Sequence, residues 1–380
     1  MQYLKNIKQS FRLKNNINYF VLTALLVILI VLDQFGLLGR SMTGLVTKMG
    51  YSAILAVSLN LVVGFLGELS LGHAGFMCAG AYIGCFFANY MYTVIDNQIL
   101  VLFLAMVVGG LVATVLGFIV GLPALRLKGD YLAIVTLAFG EIIRNIFNNT
   151  SSDTFGGAMG MSTKKLNGTT LFIITLITLI IVLFLCQSLI RSKHGRAITA
   201  IRDNEIAAKS MGINVTYYKL FVFALAACFA GIAGVLYGHS LSTVRQDAFT
   251  YNYSIEILVM VVLGGIGSMR GSIISASLIV YINALLQNNL SGDMAEIKQA
   301  VYAVILIIVV IFNNAPALNK VKDKLSISNL LKKNKKPEVI HDDGADWRKV
   351  PTKIPMDEVL TADLPNNKAF EPDKPEKGDK

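Results

Sequence analysis

Runs of about 20 mainly apolar residues recur along this chain, and that recurrence restricts its fold more than any other feature. A helix needs about 20 such residues to cross the hydrocarbon core of a bilayer, because all its backbone polar groups must be satisfied within the segment. Runs of this kind occupy about 18–38, 43–66, 71–92, 99–122, 131–148, 171–190, 217–240, 253–268, 271–289 and 298–314. The pattern predicts an all-α polytopic membrane protein with about ten (8–10) transmembrane helices. The runs are continuous and do not alternate in pieces of about ten residues, which argues against a transmembrane barrel. Many contain Gly, Ser or Thr, as in VVGGLVATVLGFIVG (107–121) and ACFAGIAGVLYG (227–238). Hydrophobicity does not drive helices together in lipid, so small residues that let backbones approach are what a bundle requires.

Charge divides the chain. Residues 320–380 hold 26 of its 58 charged side chains and six of its eight prolines. The expected organisation is a basic cytoplasmic N-terminus (1–17), a transmembrane domain (18–316) with a cytoplasmic loop at 191–216, and a polar, disordered cytoplasmic tail (317–380). The first apolar run follows Lys5, Lys8, Arg12 and Lys14. It is too long for a signal peptide and no small-x-small cleavage site follows, so it reads as an uncleaved span. With the N-terminus inside, the cytoplasmic pieces hold about 20 Lys and Arg, counting the tail only to residue 336, against about six outside. This asymmetry predicts an even number of spans with both termini in the cytoplasm. The net charge of +10 is then a sidedness signal and not a nucleic-acid signal.

Little in the chain suggests catalysis. The four His stand apart at 73, 194, 239 and 341, and the sequence contains no Walker A, H-E-x-x-H or G-x-S-x-G pattern. Cys78, Cys85, Cys186 and Cys228 lie in apolar runs without a C-x-x-C spacing, so packing is their expected role. No catalytic or metal-ligating residue is assigned. The ionisable candidates within or beside the spans are Glu68, His73, Glu141, Arg144 and Glu256. Glu141 and Arg144 are spaced i,i+3 and are expected to pair with each other. If the chain pumps a solute, its energy comes from another subunit or from an ion gradient.

The most informative polar stretch is 191–219, RSKHGRAITAIRDNEIAAKSMGINVTYYK. Asp203 and Asn204 signal a helix start before EIAAKSM, and Gly212 a stop. Ile206, Ala207, Ser210 and Met211 fall on one weakly apolar face, suited to a groove in a partner. A solvated basic loop is the plainer alternative.

EIAAKSMG (205–212) resembles the E-x-x-A-x-x-x-G coupling motif of ABC-importer permeases, with Glu205, Ala208 and Gly212 at the matching positions. SLNLVVGFLGELSLGHAGFMCAGAY (58–82), LPALRLKGDYLAIVTLAFGEIIRNIFNN (122–149), GRAITAIRDNEIAAKSMGINVTYYKLFVFALAACFAGIAGVLYG (195–238) and VVLGGIGSMRGSIISA (261–276) together resemble the LivM-like permease subunits of branched-chain amino-acid ABC importers. The likeness covers most of 42–316, and the tail departs from it.

The resemblance implies a multi-pass protein of the bacterial cytoplasmic (inner) membrane. Its partners would be a second, related permease subunit, two cytoplasmic ABC ATPases and an extracytoplasmic solute-binding protein, with the lipid bilayer around it and no nucleic acid. ATP and magnesium would be used by the ATPases, with no cofactor bound by this chain. Arg202, Asp203, Glu205, Ala207, Ala208 and Gly212 would form the ATPase coupling site. Ser58, Asn60, Ser70, His73 and Thr136 are translocation-pathway candidates, with interhelical hydrogen bonding as the alternative role for each. Gly64, Gly67 and Gly72, and later Gly264, Gly265, Gly267 and Gly271, are helix-break candidates whose recurrence suggests two internal repeats. The substrate would be Leu, Ile or Val. The alternatives are the same architecture importing urea, short amides or a sugar, and an ion-coupled carrier or channel working alone.

Overall fold

The computed structural model describes residues 39–127, 129–164 and 166–289, with residues 304 and 307. All of these lie in the first of two compact units, Met1–Ala315 and Pro316–Lys380. The expected N-terminus 1–17, the span 18–38 and the tail 317–380 lie outside the described residues, and of the span 298–314 only residues 304 and 307 are described.

Each expected span within the described region coincides with a helix. These are α1 (Arg40–Asn60, continued by a π-helical turn Leu61–Leu66), α2 (His73–Met91), α3 (Gln98–Ala124), α4 (Asp130–Asn149), α5 (Gly168–Arg191), α8 (Val215–Ser240), α9 (Tyr251–Gly264) and α10 (Met269–Asn289). Two short helices, α6 (Lys193–Asp203) and α7 (Glu205–Ser210), fill the polar stretch between α5 and α8. Among the described residues, six helices are long and apolar enough to cross a membrane: α1 with its π-turn, α2, α3, α5, α8 and α10. The expected run 253–268 is shortened, because α9 stops at Gly264 and a turn follows. At about 1.5 Å per residue α9 reaches roughly 21 Å, short of the ~30 Å core.

Packing follows side-chain size. Along α3, Ala105, Gly109, Ala113, Gly117 and Gly121 are buried, whereas Phe103, Val107, Leu111, Val115, Phe118 and Leu122 are exposed. The helix is apolar all round, so what turns one face inward is the small residues that admit a neighbouring backbone. That neighbour is α8, which packs most extensively against α2 and α3. The large side chains left outside suit a lipid-facing surface.

The loops gather at two ends. A helix of α8's 26 residues is about 39 Å long. Near its start Lys219 meets Glu68. Near its end Gly238 lies against Cys85, and the His239 ring lies 6.3 Å from that of Tyr92. At this second end β1 (Met161–Ser162) pairs antiparallel with β2 (Thr243–Val244), in the register Met161↔Val244 and Ser162↔Thr243. Asn89 Nδ2 donates to Ser162 O there at 2.8 Å, and Tyr82 Oη donates to Val244 O at 3.2 Å.

Candidate functional site

The candidate site begins where α1 breaks. Its last turn, Leu61–Leu66, is π-helical, and Gly67 closes it at φ +82°. The Glu68 amide donates to Val62 O at 3.1 Å. The next helix starts only at His73, whose Nε2 lies 3.2 Å from Ser58 Oγ. Ser58 is about 12 Å back from the end of α1, at ~1.5 Å per residue. Residues 67–72 therefore climb back into the bundle as non-helical chain.

Such a segment, like the first turn of α2 that follows it, leaves backbone donors without helical partners, and Thr136 and Ser254 receive one from each. The Leu71 amide donates to Thr136 Oγ1 at 3.0 Å and the Ala74 amide to Ser254 Oγ at 3.1 Å. An interhelical side-chain hydrogen bond in a bilayer is worth only about 0.6 kcal/mol, whereas an unsatisfied backbone group in hydrocarbon costs several. Satisfying those donors is therefore the larger effect of these hydroxyls. Ser58, Ser70, His73 and Thr136, four of the five pathway candidates, gather around this segment. Ser70 Oγ and His73 Nδ1 are buried without a hydrogen-bond partner. Gly72 permits the close approach: a Cβ there would fall 2.6 Å from Thr136 O.

The second glycine-rich joint meets the first. Between α9 and α10 the chain turns through Gly265 (φ +91°) and Gly267 (φ +82°). Gly264 and Gly271 lie so close that a Cβ on Gly271 would fall 1.6 Å from Gly264 O. Asn60, fully buried, locks the two joints together. Its Nδ2 donates to Ser272 Oγ at 2.9 Å, and its Oδ1 accepts from the Gly267 amide at 2.9 Å. Asn60 thus makes interhelical hydrogen bonds in this structure.

The polar stretch 191–219 docks beneath these joints. Ser192 caps α6 by accepting from the Gly195 amide, and Asn204 caps α7 by accepting from the Ala207 amide at 3.0 Å. The helix starts where the Asp203-Asn204 signal placed it. After it the chain reverses at Gly212 (φ +80°), where the Ile213 amide donates to Ala208 O at 3.1 Å. Ala208 is buried against the body, while Ile206 and Met211 are 76% and 83% exposed. Ala208 therefore seats α7, and the outward face is the expected one of Ile206, Ala207, Ser210 and Met211. Beside it a cavity of about 350 Å³ is lined by Leu122, Arg126, Glu205, Thr216 and Leu220, among others. Asn204→Ala is expected to cost about 1 kcal/mol of helix stability, read as faster amide hydrogen exchange across 205–211.

Two contacts fasten this stretch to the break in α1. Arg202 Nη1 donates to Gly64 O at 3.1 Å, while its Nε and Nη2 bind Asp203 Oδ1 at 3.1 and 3.0 Å. Gly67 lies against the stem of Arg202, where a Cβ would fall 2.7 Å from Cγ. Lys219 Nζ binds Glu68 Oε1 at 2.5 Å and Glu205 Oε2 at 3.3 Å. The three side chains are 4%, 13% and 35% exposed, so the cation is desolvated between its two carboxylates. In the composition of 191–219, Lys219 is simply one more basic residue. Its helical spacing is the available signal: Val215, Lys219, Val222, Phe223 and Ala226 share one buried stripe of α8.

Other ionisable groups are tied locally. Arg144 Nε binds Glu141 Oε2 at 2.8 Å, as their spacing predicted, and Glu141 Oε1 also accepts from the Tyr251 amide at the start of α9. Asn283 Nδ2 donates to Glu256 Oε1 at 3.1 Å.

This arrangement, a broken-helix bundle with a capped surface helix strapped beneath its joints, accompanies a family match along most of its length. The profile of the family described as "Branched-chain amino acid transport system / permease component" matches residues 41–310. The chain belongs to this family. It is a multi-pass membrane protein of the branched-chain permease type. Similar proteins include the high-affinity branched-chain amino acid transport system permease protein LivM of Salmonella typhimurium, 35% identical over 266 residues, covering 62% of this chain and 61% of that protein. LivM of Escherichia coli K12 is 32% identical over 307 residues, 73% of this chain and 69% of that protein. The ribose import permease protein RbsC of E. coli K12 is 32% identical over 129 residues, 32% of this chain and 39% of that protein. No solved structure matches the chain.

Proposed function

We propose that this permease is the membrane-spanning subunit of an ATP-driven ABC importer that moves leucine, isoleucine or valine delivered by an extracytoplasmic solute-binding protein. The observation that carries this reading is α7. It is capped, ends on a left-handed glycine, presents Ile206 and Met211 outward, and is tied through Lys219 and Arg202 to the break in α1. Such a helix is built to take up movement from a partner and pass it inward.

In this reading two cytoplasmic ATPases, using ATP and magnesium, dock against α7, and a second, related permease subunit completes the pathway. The chain has about ten spans in the bacterial inner membrane with both termini in the cytoplasm. The paired breaks at 64–72 and 264–271 belong to two internal repeats. Ser58, Ser70, His73 and Thr136 line the route past the 67–72 segment. A sugar importer of the same architecture is favoured by the likeness to RbsC, but that likeness covers only 32% of the chain. The LivM relatives extend over 62–73% of it. A lone ion-coupled carrier is disfavoured, since Glu141, Arg144 and Glu256 are held by local partners.

The test avoids Gly212, whose positive φ would confound any substitution. The Ile206→Asp, Met211→Asp double variant changes only exposed side chains. Co-purification of the ATPase subunits and leucine uptake are both expected to fall at least tenfold, with the melting temperature of the permease unchanged. Normal uptake in that variant, or uptake needing no ATPase, overturns the reading. Competition of labelled leucine uptake by isoleucine and valine, but not by urea or ribose, checks the substrate class.

A further inference from the structure

We propose that Lys219 is the positioning residue that transmits displacement of α7 to the π-turn of α1, making that turn the moving part of the permease. This rests on the importer reading and adds to it a specific residue and a specific moving element.

Four observations converge. First, Lys219 lies on the buried stripe of α8, yet its Nζ reaches a carboxylate on each of two other elements: Glu205 opens α7, and Glu68 follows the π-turn. A desolvated cation shared between two carboxylates is a poor way to gain stability, because apolar residues of similar volume do as well or better. It is a good way to fix one relative position of three elements. Second, the contact on the same turn made by Arg202, through Gly64 O, comes from the residues just before α7. The polar stretch therefore grips this segment at two points, Gly64 and Glu68, one before and one after Gly67. Third, the gripped turn is π-helical and ends in a left-handed residue. Single π-helical turns within α-helices are rare and recur at functional sites. Fourth, the chain leaving the turn, 67–72, runs directly to the cluster of Ser58, Ser70, His73 and Thr136. There Ser70 Oγ and His73 Nδ1 are buried without partners. A shift at Glu68 is carried by six residues of non-helical chain into that cluster.

The groups facing Lys219 from the packed elements are Glu68 and Glu205, with Arg202 and Asp203 paired beside them. A pull on α7 moves Glu205. Lys219 holds Glu68 to it, so the end of the π-turn follows and the backbone around Gly64 and Gly67 rearranges.

The experiment uses the assembled importer in proteoliposomes with its ATPase subunits and solute-binding protein, and reads ATP hydrolysed per leucine transported. Lys219→Met alone would leave the Glu68 carboxylate, 13% exposed, without its cation, so the informative variant is Lys219→Met with Glu68→Gln; Glu205 stays charged, but its side chain is 35% exposed. Expected are normal co-purification of the ATPases, hydrolysis within twofold of the parent, leucine uptake lowered at least tenfold, and a correspondingly raised ATP-to-leucine ratio. Lys219→Arg, which keeps a cation between the carboxylates, is expected to retain at least half of the uptake. An unchanged ratio overturns the proposal, whether because uptake is intact or because hydrolysis and uptake fall together as the complex dissociates. Failure of the importer reading looks different: the parent protein itself would then transport leucine without ATP or bind no ATPase.

Discussion

Gly64→Ala is expected to abolish leucine uptake and to lower the melting temperature of the purified permease by several degrees. The added Cβ would stand 2.0 Å from Asn60 Oδ1, 2.4 Å from Gly267 N and 2.8 Å from Gly267 Cα. Two of these atoms are backbone and cannot rotate away. Asn60 cannot yield either without giving up its hydrogen bonds to the Gly267 amide and Ser272 Oγ. Overpacking typically costs about 1–3 kcal/mol, and leaving a buried donor or acceptor unmade adds about 1–3 kcal/mol. The two joints would separate, and Arg202 would lose its acceptor at Gly64 O. Thermal melts in detergent and uptake in proteoliposomes check this. A Gly64→Ala protein that melts and transports like the parent would show that the joints do not need to touch.

The second large effect lies in the middle of the bundle. Gly80 of α2, Gly109 of α3 and Gly231 of α8 meet at one crossing. A Cβ on Gly231 would fall 2.5 Å from Ala113 Cβ and 2.7 Å from Gly109 O; one on Gly80 would fall 2.3 Å from Gly231 O; one on Gly109 would fall 2.9 Å from Gly80 O. Association of helices in lipid rests on close packing, so a side chain here removes the contact that holds three helices together. Gly231→Val is expected to reduce the yield of folded, monodisperse protein at least tenfold. Gly44→Ala is the control. It lies within α1 with nothing within 4 Å of its Cβ position, and is expected to be neutral or to stabilise by up to about 1 kcal/mol. Equal yields of the Gly231→Val and Gly44→Ala proteins would remove small-residue packing as the basis of this bundle.

The sequence by itself determined which of the described segments are long helices. A bilayer sets a length of about 20 apolar residues, and each helix satisfies its own backbone, so spans such as 99–122 and 217–240 can be read locally. The capping of α7 by Asn204 and its reversal at Gly212 are local too, written within a stretch of nine residues. Tertiary structure alone decided what the polar residues are for. Asn60 meets Gly267 and Ser272 across separations of 207 and 212 residues, and Lys219 meets Glu68 across 151. No periodicity spans such distances. That Asn60 is a tie between joints, that Ala208 seats α7 instead of facing outward, and that a lysine counted with a basic loop is buried between two carboxylates all depend on which helices are neighbours. In lipid that choice is made by close backbone contact at residues such as Gly64, Gly80 and Gly231, and contact between distant segments is a property of the assembled bundle and not of any one segment.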